Sequence, residues 1–256
     1  MSKNKQSKVC PIFKIRYENS RQNRTKAKVS FISFVPLGDC TDIAIEESGG
    51  IEKDFYAYIT AKDKVLYIRN VTDPVFSYHV GTCDIPGYAY GIGISGDYAF
   101  VADGGKGLQV IDVTDKEGPV IIGSCDTPGT ALGVVISGEY AFVADGYSGL
   151  QIIDVSKKER PKIIGFCGTP GEAYGVGISK DGQYAFVTND VYGLQVIDIG
   201  DKENPVIVGS CDTPGFALLL AISGNYAFVA DDYGGLPSHR HQRQEKPYDC
   251  WLLRYS

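Results

Sequence analysis

Residues 98–113 read Tyr-Ala-Phe-Val-Ala-Asp-Gly-Gly-Lys-Gly-Leu-Gln-Val-Ile-Asp-Val, and the chain returns to this text at a nearly constant step. Tyr-Ala-Phe-Val stands at Tyr98, Tyr140, Tyr184 and Tyr226, with a weaker copy, Tyr-Ala-Tyr-Ile, at Tyr56; the spacings are 42, 42, 44 and 42 residues. The same step carries Gly-Leu-Gln-Val/Ile-Ile-Asp from Gly107, Gly149 and Gly193, and Pro-Gly at 86–87, 128–129, 170–171 and 214–215. Lys180-Asp181 supplies the two extra residues of the long interval and lengthens one turn. Self-similarity at 40–45 residues is the mark of a repeat architecture in which each unit buries its faces against its neighbours.

Within one copy the pattern predicts four short strands. Ala131 to Ser137 alternates and stops at Gly138-Glu139; Tyr140 to Ala144 stops at Asp145-Gly146; Leu150 to Val155 is followed by the charged stretch Ser156 to Arg160; Lys162 to Cys167 ends at Thr169-Pro170-Gly171. Val, Ile, Tyr and Phe between Gly, Pro and Asp punctuation are strand-and-turn chemistry, and no apolar run keeps a 3.6-residue period over ten residues. Four strands per repeat of about 42 residues predict an all-β fold, a β-propeller of about four complete blades plus a partial one. The expected blades are 41–83, 84–125, 126–167 and 168–211, with a partial blade over 212–236. The first strand of each copy is expected to line the axis, where Gly91, Gly93, Gly133, Gly175, Gly177 and Ala221 let backbones approach.

On these residues the chain resembles the LVIVD repeat family, named after the strand seen here as Leu-Gln-Val-Ile-Asp. The resemblance covers about residues 55–236. It implies a propeller, and a relation to bacterial and archaeal cell-surface proteins of unassigned function. Two departures are visible: Asn70 stands where Asp112, Asp154 and Asp198 stand in later copies, and the basic start of the chain is not followed by the apolar run of an export signal.

Charge divides the 256 residues into three parts. Residues 1–28 hold nine Lys and Arg against one Glu, and 237–256 hold four against two; from chain totals of 25 basic and 31 acidic this leaves 12 and 28 over 29–236, a net charge of −16. So acidic a body repels phosphate backbones, which excludes nucleic acid as its expected partner. The basic head 1–28 is expected to be solvated and disordered. The longest apolar run near the end, Phe216 to Ile222, has seven residues, far from the ~20 that span a bilayer.

After Gly234-Gly235-Leu236 the repeat predicts Gln-Val-Ile-Asp, but a polar, basic tail follows from Pro237 to Ser256. With suitable synonymous codons, reading that tail one base later yields QVIDISDKKNPMIVGFCDT and the start of a Pro codon. This agrees with residues 195–214, QVIDIGDKENPVIVGSCDTP, at sixteen of twenty positions. The expectation is that the tail is read out of frame, that the chain is C-terminally truncated by a frameshift, and that the parent protein has at least one more blade.

Candidate chemistry is sparse. Cys40, Cys83, Cys125, Cys167 and Cys211 follow the repeat, so equivalent thiols lie a blade apart, beyond the ~7 Å between Cα atoms that a disulfide tolerates; small buried apolar residues are expected. Asp103, Asp145, Asp190 and Asp231 close the second strands and Asp112, Asp154 and Asp198 the third, without the dense spacing of a calcium loop, so turn hydrogen bonding is expected. Gly91-Ile-Gly93 and Gly175-Val-Gly177 lead into strands, so the helix N-terminus that holds a dinucleotide phosphate is missing. His79 is the single His outside the tail, and Ser137, Ser179 and Ser223 recur with the repeat, whereas a nucleophile is needed once.

No catalytic, cofactor-binding or metal-binding residue is therefore assigned. The reading is a non-catalytic interaction or scaffold module that presents loops to a protein partner. An enzyme or metal-binding protein with its site in the central channel, and a truncated product without function of its own, stay open as alternatives. A ring that stops mid-blade leaves unpaired strand edges. The expected consequence is a marginally stable or aggregating chain, checked by scanning calorimetry with reheating; a sharp, reversible monomer melt would contradict it.

Overall fold

The computed structural model describes residues 10–19, 25–35, 40–48, 54–73, 76–223, 226–232 and 249–254. β1 (Cys10–Asn19) and β2 (Thr25–Val35) pair as an antiparallel hairpin. Residues 10–19 and 25–28 are thus strand where disorder is expected of the head. The sequence reason is the alternation of Phe13, Ile15 and Tyr17 with Lys14, Arg16 and Glu18, a period of two that a count of charges does not weigh.

Four four-stranded antiparallel meanders follow. The first blade is β3 (Cys40–Ser48), β4 (Asp54–Ala61), β5 (Val65–Asn70) and β6 (Tyr78–Asp84); the second is β7 (Gly91–Ser95), β8 (Tyr98–Ala102), β9 (Leu108–Asp112) and β10 (Val120–Cys125). The third is β11 (Gly133–Ser137), β12 (Tyr140–Ala144), β13 (Leu150–Asp154) and β14 (Lys162–Cys167); the fourth is β15 (Val176–Ile178), β16 (Tyr184–Thr188), β17 (Leu194–Asp198) and β18 (Val206–Cys211). A fifth, partial blade joins β19 (Phe216–Ser223) and β20 (Tyr226–Asp232) to β21 (Asp249–Arg254), which pairs antiparallel with β20 from Tyr226↔Arg254 to Asp231↔Asp249. The partial blade thus has a third strand, drawn from the tail, where the repeat alone predicts two; residues 237–248 lie outside the described residues.

The first strands β3, β7, β11, β15 and β19 neighbour one another in chain order. A Cβ on Gly133 would stand 2.5 Å from the Tyr174 carbonyl oxygen of the next first strand's approach, and one on Gly91 2.9 Å from that of Leu132, so the expected crowding at the axis is real.

Both faces of every blade are apolar, which is why the motif is so dense in large hydrophobic residues. In the second strand Phe100 points forward and Ala99 and Val101 point back. Forward-facing Phe100, Leu108 and Val110 of the second blade pack on Ala141, Val143, Ile153 and Val155 of the third. Phe142, Leu150 and Ile152 meet Ala185, Val187, Ile197 and Ile199 in the same way.

The fourth strand adds a second contact between blades. Each third–fourth pairing slips by one residue beside a glycine: Gly81, Gly123, Gly165 or Gly209. Such a bulge bends the outer strand. It brings the glycine of the first three blades against the following blade: a Cβ would lie 2.2, 2.1 and 2.0 Å from the carbonyl oxygens of Lys116, Lys158 and Lys202. The same lysines turn back over the Tyr of the preceding blade, with Nζ 4.9, 5.4 and 5.8 Å from the ring centroids of Tyr56, Tyr98 and Tyr140.

Replacing Gly123 with Ala should therefore destabilise the chain by about 1–3 kcal/mol, the range for overpacking a close contact. Gly105→Ala, where an added Cβ meets nothing within 4 Å, should change stability by less than about 0.5 kcal/mol. Urea unfolding of the two variants checks this.

Candidate interaction face

The connector between blades and the turn between second and third strands lie at the same end of the propeller, because a first strand leaves that end and the second returns to it. At this end one acidic or amide side chain in each of the second to fifth blades ties the two segments together; Ala61 holds the position in the first. Asp145 accepts from Gly129 N at 2.9 Å and from Thr127 Oγ1 at 2.6 Å; Asp231 accepts from Gly215 N at 2.9 Å and Thr213 Oγ1 at 3.2 Å. In the fourth blade the role falls to Asn189, whose Oδ1 accepts from Gly171 N at 2.9 Å and whose Nδ2 donates to Thr169 Oγ1 at 3.0 Å.

Asp190 is therefore not the counterpart of Asp103 and Asp145. It occupies the next position, filled elsewhere by Gly104 and Gly146, and shares their left-handed backbone, with φ of 48° beside 54° and 56°. The reason for that conformation is a bridge to the next blade. Gly104 pairs with Ala131, Gly146 with Ala173 and Asp190 with Ala217, each across a blade boundary. Asp tolerates positive φ better than most residues, which lets it stand in for glycine.

Asp103 is the exception among the anchors. Its Oδ2 accepts from Gly87 N at 3.0 Å, but the preceding blade supplies Ile85 where Thr127 and Thr213 stand, and among the described residues the buried Oδ1 has no hydrogen-bond partner. Burial pushes its pKa up to about 6, against the opposing pull of the Gly87 N–H. Asp42, a polar residue on a first strand that a survey of glycines passes over, is also raised by burial; it accepts from Ile92 N at 2.9 Å and Ile43 N at 2.8 Å, so this channel acid clamps two first strands.

The remaining sequence candidates also sit in scaffold contacts. Asp112, Asp154 and Asp198 accept from the backbone N–H two residues on, at 2.9, 2.8 and 2.8 Å. Asn70 does the same for Thr72 at 2.9 Å, so the first blade keeps the turn despite its changed residue. Hydrogen bonds from Thr114 and Ser156 hold Asp112 and Asp154 below the usual carboxylate range. The five cysteines of the repeat are free thiols; Cys83 and Cys167 are buried and the other three half-buried, and burial raises Cys83, Cys125 and Cys167. His79 is exposed on β6. Ser179 Oγ donates to Asp181 at 2.5 Å and accepts from Tyr184 N at 2.9 Å, a turn role. A cavity of about 360 Å³ between the first strands of the last three blades is walled mainly by Val135, Val176, Ile178, Leu220 and Ile222. Among the described residues no group of three or more His, Cys, Asp or Glu could hold a metal ion, and no helix is long and apolar enough to cross a membrane.

What differs from blade to blade is the surface of this end. The residue after each Pro-Gly is Tyr88, Thr130, Glu172 or Phe216, and the second residue of each turn after the bridge position is Gly105, Tyr147 or Val191. Tyr88, Tyr147, Val191 and Phe216 are 53, 80, 55 and 39% exposed. Tyr174 donates its hydroxyl to Glu172 at 2.8 Å, and burial with the adjacent carboxylate raises its pKa.

The family model of the LVIVD repeat matches residues 86–127, 128–169, 170–213 and 214–237, well over half of the chain. The chain belongs to the LVIVD repeat family. The Leu-Gln-Val/Ile-Ile-Asp strand that carries the repeat is, in this chain, β9, β13 and β17. Among solved structures the chain is similar in fold to a chain of Kuenenia stuttgartiensis hydrazine synthase, with a TM-score of 0.62 and 16% identity, over 84% of this chain and 66% of that one. No curated protein matches the sequence.

The orphaned oxygen of Asp103 has a measurable consequence. Its folded-state pKa, about 6, lies above the ordinary 3.8, so the fold holds its proton more tightly than the unfolded chain does. The stabilisation from that proton is complete below pH ~4 and is lost as pH rises through ~6. Asp103→Asn, the residue the fourth blade already uses, should raise the melting temperature at pH 7 and remove part of its fall between pH 5 and pH 7. Calorimetry of both chains across that range tests the effect.

Proposed function

We propose that this LVIVD repeat chain is a non-catalytic interaction module that binds a protein partner through the connector end of its propeller. One observation carries the reading: exposed Tyr88, Tyr147, Val191 and Phe216 occupy the repeat positions that change between blades. The repeated polar residues Asp145, Asn189, Asp231 and Gln151 are spent on hydrogen bonds that hold blades and turns. A repeat scaffold gains specificity where its units differ, on loops held by a rigid frame. Aromatic side chains supply large contact area there at small entropic cost. The family's relation to cell-surface proteins makes a surface-borne protein the partner class to screen first.

The test is affinity capture with the full chain beside a Tyr88→Ser, Tyr147→Ser, Val191→Ser variant. The variant should keep the parent's melting temperature within about 1–2 °C, because isolated exposed positions contribute little to stability. It should lose the captured partner. Retention of the same partner by the variant, or turnover of a substrate by the parent, would overturn the reading.

A further inference from the structure

The boundary between fourth and fifth blades is built to the same plan as the three before it, but among the described residues half of it stands open. Val80, Ile122 and Ile164, the extra residues at the first three bulges, are partly buried and pack into the core shared with the following blade. Val208, at the fourth bulge, is 54% exposed, and Ile207 beside it is 40% exposed, whereas Ile121 and Ile163 at the matching position are half-buried. Among the described residues a Cβ on Gly209 would meet only Val196, at 3.8 Å, whereas its three counterparts would strike a lysine carbonyl at 2.0–2.2 Å. Tyr56, Tyr98 and Tyr140 each carry a lysine over the ring, and among the described residues Tyr184 has none.

The three completed boundaries show what fills this space: the third strand, the Asp/Lys-Lys-x-x-Pro loop and the fourth strand of the following blade. We infer that the groove along Tyr184, Val208 and Gly209 receives a strand-loop-strand hairpin of LVIVD type from another polypeptide chain. The hairpin pairs with β20 in place of β21, sets its lysine over Tyr184 and rests that lysine's carbonyl on Gly209. The surface is distinct from the connector end and independent of the function proposed there. Continuity with three established interfaces of the same residues selects the occupant. Recognition of this kind combines ladder hydrogen bonds at a sheet edge with side-chain pockets.

The probe is a synthetic peptide with the sequence of residues 193–211, Cys211 replaced by Ser, added to the full chain. It should raise the melting temperature in a saturable manner, as any ligand of the native state does. It should also change the fluorescence of Trp251, the single tryptophan of the chain, which lies in the displaced β21. Gly209→Ala in the chain should leave its own melting temperature unaltered and weaken peptide binding at least tenfold. Lys202→Ala in the peptide should weaken binding about two- to fivefold on the unaltered chain, the worth of an exposed cation-π contact. A scrambled peptide of equal effect, or binding that ignores both substitutions, would overturn the inference.

Discussion

A blade of this protein is half of two cores. Because Phe100, Leu108 and Val110 point forward and Ala99, Val101 and Ile111 point back, a complete blade between two neighbours has two apolar faces and no solvent face, and burial comes from the neighbour. Fully burying a side chain such as Phe contributes roughly 1.5–3 kcal/mol, and the sequence repeats that contribution at Phe100, Phe142 and Phe186, exposed by 0, 1 and 2%. Phe228, the same residue of the fifth blade, is 36% exposed. Stability therefore resides at boundaries between blades, as in other one-dimensional repeat arrays, and a missing boundary is felt by the blade that should have been covered.

The glycines and lysines follow from that constraint. Flat apolar packing alone would tolerate slippage between blades. The bulge glycine fixes the spacing by leaving room for one carbonyl oxygen, and the lysine that owns the carbonyl closes the contact over a tyrosine ring. In the first boundary Lys116 also meets Glu46 at 3.3 Å. With the two side chains only 17 and 19% exposed, the pair joins the cation-π contact with Tyr56 in fixing this boundary. Around the connector, the Asp or Asn anchor and the left-handed residue after it do the same for the inner half of each boundary.

Much of this architecture is legible in the sequence alone. The four-strand repeat unit, the turn residues and the crowding of first-strand glycines are local patterns, and strands 133–137, 140–144, 150–154 and 162–167 fall where alternation and Gly or Asp punctuation place them. Three features were not. Asn189 and Asp190 are adjacent, and choosing the acidic residue over the register-matched amide shifted the anchor by one place; hydrogen-bond geometry rewards either carboxylate or amide, so charge was the wrong criterion. Asp42 was hidden because the first blade diverges and the glycine column lapses there. The hairpin β1–β2 was masked by its charges. Side-chain partners such as Lys158 over Tyr98 connect residues 60 apart in the chain, a separation at which no local pattern speaks.

The repeat also provides its own controls, and these separate scaffold from function more sharply than residue type does. Asp is the residue most readily assigned chemistry in a channel or turn, yet three of the four connector anchors and the three third-strand positions are Asp for geometric reasons. Asn does the same work at Asn189 and Asn70. A position that accepts an amide for a carboxylate cannot depend on the negative charge. Asp103 sharpens the point from the other side: when its threonine partner is replaced by Ile85, the surplus oxygen becomes a cost, and burial raises the pKa. Function is then to be sought where blades disagree, and they disagree at the exposed Tyr88, Tyr147 and Val191 end. Where they agree but one copy lacks its cover, as at Gly209, the disagreement lies in the assembly and not in the sequence.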